Sequence, residues 1–332
     1  MFILLKDKNI LVTGATGLVG SELIRRLSQL GYRVNALFHQ SKPIDLPNVT
    51  WNSCDILDVI ELEDIMQNID IVFHCAALVS FDPSKAKTIH QLNVTGTANV
   101  VNAAVDAHVK TFIHVSSVAA IGSLVDGNIL ENEKWDPKAG HNAYAKSKRA
   151  AEFEVLRGQA EGLKVHIVNP TIILGNGDWN KGSSELFKKV YNGFPYYTEG
   201  VHGFVDVADV VNVMISLMKT DTKSGERYIL NGANISYKKL FDLIADKFGV
   251  ARPNKKVSNW QAAIIWRLAY IKAKLTGTHA MLTKETAHTA QAIITYNNHK
   301  ILEALPDFQF QPIEQSIERI CGEFRQKYQL KA

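Results

Sequence analysis

The chain has little cysteine: Cys54, Cys75 and Cys321 are the only three, far apart in 332 residues. Cysteines so few and scattered offer neither a disulfide framework nor the spacing of a metal site. No apolar run reaches the ~18 residues a spanning helix needs, so no transmembrane segment is expected. The opening Met1-Phe2-Ile3-Leu4-Leu5 is too short for a signal-peptide core and gives way to Lys6, Asp7 and Lys8. These absences point to a reducing, cytoplasmic setting. The net charge of +4 comes without a long basic block, so the footprint of nucleic-acid binding is missing too. Internal repeats and low-complexity segments are also lacking. What is present, 46% apolar and 21% charged residues, suits a globular chain able to bury a substantial core, as one large domain or two lobes.

The densest local signal lies near the N-terminus. Ile10-Leu11-Val12-Thr13 leads into Gly14-Ala15-Thr16-Gly17-Leu18-Val19-Gly20; Leu23, Ile24, Leu27 and Leu30 then recur at helical spacing before Gly31. This reads as a buried strand, a tight glycine turn and an amphipathic helix. Such a turn lets backbone N–H groups at a helix N-terminus meet a pyrophosphate. Further strand patterns follow at 33–38, 49–54, 70–75, 111–116, 164–168 and 228–230, with helical patterns at 59–67, 85–107 and 142–159. Alternation of this kind predicts an α/β fold with a doubly wound parallel sheet. Asn93 and Gly96 sit badly in the interior of the 85–107 helix, so something other than propensity must place them.

Tyr144-Ala145-Lys146-Ser147-Lys148 puts a tyrosine and a lysine on one helix face. An ammonium there favours phenolate over phenol, an acid/base arrangement for work on a carbonyl or alcohol. Tyr270/Lys274 and Tyr296/Lys300 share the spacing, but only Tyr144 follows a strand ending in serines, Ser116-Ser117. That strand end belongs at the carboxyl edge of the sheet, where open α/β folds bind ligands. The second strand ends Phe38-His39-Gln40 with no acid, an environment that would accept a ribose 2′-phosphate and inclines the reading towards NADP; NAD held by other contacts is the alternative.

The GxxGxxG turn, the Tyr-x-x-x-Lys pair and Asn93-Val94-Thr95-Gly96-Thr97 together resemble the short-chain dehydrogenase/reductase superfamily, in its extended branch, the NAD-dependent epimerase/dehydratase family. The likeness covers nearly the whole chain and is strongest over 8–210. It implies a Rossmann-type nucleotide-binding domain over 1–170, completed by about 204–232, with a smaller C-terminal substrate-binding lobe from 171–203 and 233–330. It implies an NADP or NAD site built from Gly14, Thr16, Gly17, Leu18, Val19 and Gly20. His39, Asp55 and Ile56 would stand at the adenosine end, Ala76 and Ala77 beside the cofactor, and Pro170 and Ile172 by the nicotinamide. Tyr144 becomes the acid/base and Lys148 its modulator and a ribose contact. Ser117, counted back from Gly122, anchors the substrate oxygen while Ser116 is structural; Asn93 supports the geometry. No metal is implied, and a homodimer would be usual for the family.

Branches acting on nucleotide-linked sugars carry a Tyr-Gly-Pro element after the sixth strand and an arginine before the Phe-Val segment. Here those stretches read Pro170-Thr171-Ile172-Ile173-Leu174-Gly175 and Val201-His202-Gly203-Phe204. The sequence is closer to the dihydroflavonol-reductase-like and 3β-hydroxysteroid-dehydrogenase-like branch, which implies hydride transfer with a mostly apolar small molecule. Phe187, Tyr191, Phe194, Tyr196 and Tyr197, and an amphipathic stretch with Trp260, Ile264, Ile265, Trp266, Leu268 and Ile271, read first as core-packing helices, with a capped apolar pocket or a membrane-surface helix as further readings. A nucleotide-sugar epimerase or dehydratase and a non-catalytic dinucleotide-binding protein are the alternatives.

Overall fold

The computed structural model describes residues 7–40, 44–122, 127–138, 140–258, 261 and 289–330. Seven strands form one parallel sheet: β1 (Asn9–Thr13), β2 (Arg33–Phe38), β3 (Val49–Ser53), β4 (Ile71–His74), β5 (Thr111–Val115), β7 (Lys164–Pro170) and β11 (Glu226–Leu230). Their order is β3-β2-β1-β4-β5-β7-β11, with the direction of winding reversing between β1 and β4. That reversal opens a crevice at the carboxyl edge of the sheet. A further strand, β6 (Gly127–Ile129), lies outside this sheet and pairs with β14 (Ile294–Tyr296).

Both faces are buried, as the near-continuous apolar strands require. Ile10 and Val12 pack with Leu23 and Leu27 of α1 (Leu18–Gln29) and with Val210 and Met214 of α7 (Val207–Lys219). Leu11, between them in sequence, joins Phe112 in a second cluster with Leu62 of α2 (Val59–Met66), Val100 of α4 (Gly96–Asp106) and Val155 of α5 (Ala143–Ala160). Among the described residues no helix is long and apolar enough to cross a membrane.

A third cluster lies apart from the sheet. Here β8 (Ile172–Leu174), α6 (Ser184–Tyr191), β10 (Val201–Asp206), α8 (Tyr237–Phe248) and a C-terminal helix, α10 (Ile313–Tyr328), pack Leu174, Phe187, Phe204, Phe248 and Phe324 around Trp179. Trp179 meets the rings of Tyr191, Phe248, Phe324 and Tyr328.

The helix expected over 85–107 is not regular. A short turn leads into α3 (Ala86–His90), and then Gln91–Thr95 widens into one π-type turn before α4 begins at Gly96. Gly96 is there because a Cβ would stand 2.5 Å from Ile56 Cδ1. Cys54 and Cys75 lie just beyond their strands rather than within them.

Candidate active site

Three glycines shape the β1–α1 turn, and two of them leave no room for a side chain. Gly14 has φ +63°, and a Cβ on it would stand 2.6 Å from the Ala76 nitrogen, at the close approach of the β1 and β4 ends. A Cβ on Gly20 would lie 2.2 Å from the Gly14 oxygen. Gly17 caps α1 from an extended conformation, without a side-chain cap and without an acid in the first turn. Among the described residues no side chain caps the positive end of this helix, so the turn fits the pyrophosphate of a dinucleotide. Thr16 and Gly17 are exposed at its crest and Leu18 is half-buried, whereas Val19 and Gly20 are buried and act through packing.

A chain of hydrogen bonds ties this turn to the end of β4. The Ala76 N–H donates to Thr13 Oγ1 at 3.2 Å; Thr13 Oγ1 lies 2.7 Å from His74 Nδ1, and His74 Nε2 lies 2.9 Å from Thr97 Oγ1. Thr97 Oγ1 in turn donates to the Asn93 carbonyl at 2.7 Å. Donor counting makes His74 the neutral Nε2–H tautomer, in keeping with burial that pushes its pKa down to about 3. Asn93 is held in the π-type turn and clamps the loop after β4. Its Oδ1 accepts from the Leu78 N–H at 2.7 Å, and its Nδ2 donates to the Leu78 carbonyl at 3.0 Å and to Ser147 Oγ at 2.9 Å. Asn93 thus joins that loop to α5 and acts on the site through them. Ala76 is half-buried and Ala77 exposed in the same loop.

Tyr144 and Lys148 stand one turn apart on α5, which Asn142 caps through a bond from the Ala145 N–H to its Oδ1 at 2.6 Å. Ser117, just past β5, is half-buried, accepts from the Ala119 N–H at 3.2 Å and lies close enough to the Tyr144 phenol to pull its pKa down. Ser117 thus follows the carboxyl end of β5, and α5 carries Tyr144 and Lys148 one turn apart. Burial pushes the Tyr144 phenol up, and Ser117 pulls the other way. The expected pull of Lys148 is not what sets the phenol in this geometry. Lys148 Nζ is 1% exposed as a residue, donates to the Val115 carbonyl at 2.7 Å and stands 3.4 Å from His114 Nε2. Burial drives its own pKa down to about 8. The other two pairs of the same spacing do not form this site. Tyr296 lies in a strand with its hydroxyl 3.2 Å from His202 Nε2, and Lys300 pairs with Glu226 at 2.6 Å; Tyr270 and Lys274 lie outside the described residues.

Sequence reasoning missed three buried groups beneath the site: His74, His114 and Glu152. Glu152 is 1% exposed and accepts from Ser116 Oγ at 2.5 Å and from Asn169 Nδ2 at 2.7 Å. Its signal was its place one turn beyond Lys148 on the face that carries Tyr144. The histidines were signalled by imidazoles inside apolar strands, Phe73-His74 and Ile113-His114. Ser116 is buried, with its hydroxyl given to Glu152.

At the adenosine end His39 is exposed, and its Nδ1 is 3.9 Å from Asp55 Oδ2, while Asp55 Oδ1 accepts from the Leu57 N–H at 3.0 Å. Ile56 is buried against Gly96. Pro170 is buried at the end of β7 and Ile172 is half-buried in β8. His202 is buried, and burial lowers its pKa; it is a neutral partner of Tyr296 rather than a cation. The stretch holding Phe187, Tyr191 and Phe194 packs in the third apolar cluster. Trp260, Ile264, Ile265, Trp266, Leu268 and Ile271 lie outside the described residues. Nearer Tyr144, Phe81 sets its ring edge-on at 5.9 Å and is 40% exposed, beside the exposed Val79.

Comparison with known proteins agrees with this layout. A protein of Synechocystis sp. that carries the provisional name dihydroflavonol 4-reductase is 32% identical over 258 residues, 75% of each chain. The UDP-glucose 4-epimerase of Vibrio cholerae is 25% identical over 301 residues, 86% of this chain and 90% of the epimerase. The crystal structure of gox2253 superposes with a TM-score of 0.82 at 28% identity, covering 98% of this chain and 100% of that one. The NAD dependent epimerase/dehydratase family matches residues 10–231, and the chain belongs to that family.

Proposed function

We propose that the protein is an NAD(P)(H)-dependent oxidoreductase, inclined towards NADP(H), that moves hydride reversibly between the cofactor and a carbonyl or secondary alcohol of a mostly apolar small molecule. The observation that carries this reading is Ser117 close to the Tyr144 phenol past the carboxyl end of β5, with Lys148 one turn along α5. Gly14, Thr16, Gly17 and Leu18 would hold the pyrophosphate with Val19 and Gly20 packed beneath them, with His39, Asp55 and Ile56 at the adenosine, and Ala76, Ala77, Pro170 and Ile172 along the nicotinamide. When bound, the cofactor supplies or accepts the hydride. Ser117 donates a hydrogen bond to the substrate oxygen and holds it against Tyr144. Tyr144, kept as the phenol by burial, gives that oxygen a proton in reduction and recovers it in oxidation. The Lys148 ammonium stabilises the phenolate left behind, and Asn93 fixes the loop and helix between which these groups stand.

Two features support an apolar substrate. Phe81 presents hydrocarbon beside Tyr144, with Val79 exposed two residues before it, and His202 is neutral and bonded where a sugar diphosphate would want a permanent cation. The preference for NADP is supported by His39 at the end of β2, where a carboxylate would repel the 2′-phosphate. The division into a nucleotide domain and a C-terminal substrate lobe is part of the proposal, supported by the separate third cluster. The similarity to a UDP-glucose 4-epimerase favours a second reading, epimerisation of a nucleotide sugar without net cofactor consumption. Purified protein assayed with NADPH and NADH against apolar and aromatic carbonyls, and separately against UDP-sugars, tests one reading against the other. Net oxidation with a carbonyl upholds the reductase, and sugar conversion without cofactor loss overturns it.

A further inference from the structure

Lys148 is buried among groups that do not carry its counter-charge. From β4 and its end it faces His74 and the thiol of Cys75, the latter pushed up to about 12 by burial. From β5 it meets His114, whose pKa burial and the Lys148 charge hold well below the usual imidazole range, and the Val115 carbonyl. From its own helix it has the Tyr144 phenol. Each of these is neutral near pH 7. Among the described residues the anion that acts on Lys148 is Glu152, one turn further along α5.

Glu152 is also a junction. Its Oε1 receives Ser116 Oγ from the end of β5 and Asn169 Nδ2 from β7, and the same Asn169 Nδ2 donates to the Ser117 carbonyl at 2.9 Å. Its Oε2 lies 3.4 Å from Arg227 of β11, a residue that feels Arg149 on α5 as a second cation. One buried carboxylate therefore joins the strand ends that present Ser117 to the helix that presents Tyr144 and Lys148. We propose that Glu152 is a positioning residue of this site, supplying the buried counter-charge for the Lys148 ammonium and fixing Ser117 opposite Tyr144 through Ser116 and Asn169. A carboxylate needed only for packing would not require three donors from three strands. A lysine buried beside two neutral imidazoles, without this anion, would shed its proton near neutral pH and lose its hold on the phenolate.

The inference rests on the role given to Lys148 above, so its test reads Lys148 directly and needs no substrate. The full-length protein, labelled with 13C at lysine Cε, is titrated by NMR between pH 6 and 11, and the Lys148 signal is identified by its loss in Lys148→Met. In Glu152→Gln the midpoint of that signal falls by about one unit, a tenfold loss of proton affinity. In Arg227→Gln, which unmasks the carboxylate, it rises. Opposite movements cannot come from general loosening of the fold, and should Glu152→Gln not fold, Arg227→Gln alone decides. An unchanged midpoint in either variant, or movement of both in one direction, overturns the inference. NADPH oxidation by Tyr144→Phe and Lys148→Met tests the underlying catalytic reading separately; normal activity there would sink that reading whatever the NMR titration shows.

Discussion

His166 makes a sharp physical prediction. It lies in β7, fully buried, and neither ring nitrogen has a hydrogen-bond partner among the described residues. Burial pushes its pKa from 6.5 down to about 4. An unpaired buried polar group costs about 1–3 kcal/mol, so His166→Leu should stabilise the protein at pH 7 by about 1–2 kcal/mol after some loss of packing. The pH dependence is the more telling part. The unfolded chain takes up a proton at this imidazole below about 6.5 and the folded protein only below about 4, so the stability of the wild type is whole above 6.5 and drains away as the pH falls between the two. The full interval is worth about 3 kcal/mol at about 1.4 kcal/mol per unit. His74 and His114 act in the same direction; Asp209, raised to about 6 by burial, opposes them. All three are common to both proteins and cancel in the difference. Urea unfolding followed by tryptophan fluorescence at pH 7.0, 5.5 and 4.5 should show the advantage of His166→Leu widening by about 2–3 kcal/mol towards pH 4.5. A gap that stays constant with pH, or a variant less stable at pH 7, would refute the reasoning.

Other consequences follow from the same geometry. Gly20→Ala drives a methyl into the Gly14 carbonyl, so it should lower the melting temperature and weaken NADPH binding at least tenfold in a fluorescence titration; unchanged binding would mean the turn is not the pyrophosphate site. Asn93→Ala removes three hydrogen bonds from a buried junction and should cost about 2–4 kcal/mol in chemical denaturation. His39→Asp places a carboxylate at the end of β2 and should shift the ratio of NADPH to NADH affinity towards NADH by about tenfold or more, read from the two dissociation constants.

Much of this molecule could be read from its residues because the controlling signals are local. The seven strands stand where apolar runs between helical patterns placed them, and the glycine turn follows from backbone needs that three residues express directly. The π-type turn at Gln91–Thr95 was visible only as a misfit, Asn93 and Gly96 in a helix, because what surrounds those residues, Ile56 against Gly96 and the Leu78 loop against Asn93, comes from distant parts of the chain. Of Glu152 only the helical register was visible, one turn beyond Lys148, because its three donors come from the end of β5, from β7 and from β11, brought together only by the sheet order. The spacing shows that Lys148 shares a face with Tyr144, but not that burial raises the phenol or that Nζ is bonded to the Val115 carbonyl.

The central claim is that Tyr144 delivers the proton in a net carbonyl reduction. Its most direct test is NADPH oxidation, followed by absorbance, with wild type and Tyr144→Phe against the same panel of apolar and aromatic carbonyls. Carbonyl-dependent oxidation by the wild type is expected, with a loss of about 10²–10⁴-fold in Tyr144→Phe and NADPH binding retained. Undiminished oxidation by Tyr144→Phe, or conversion of a UDP-sugar with no net loss of cofactor, would contradict it.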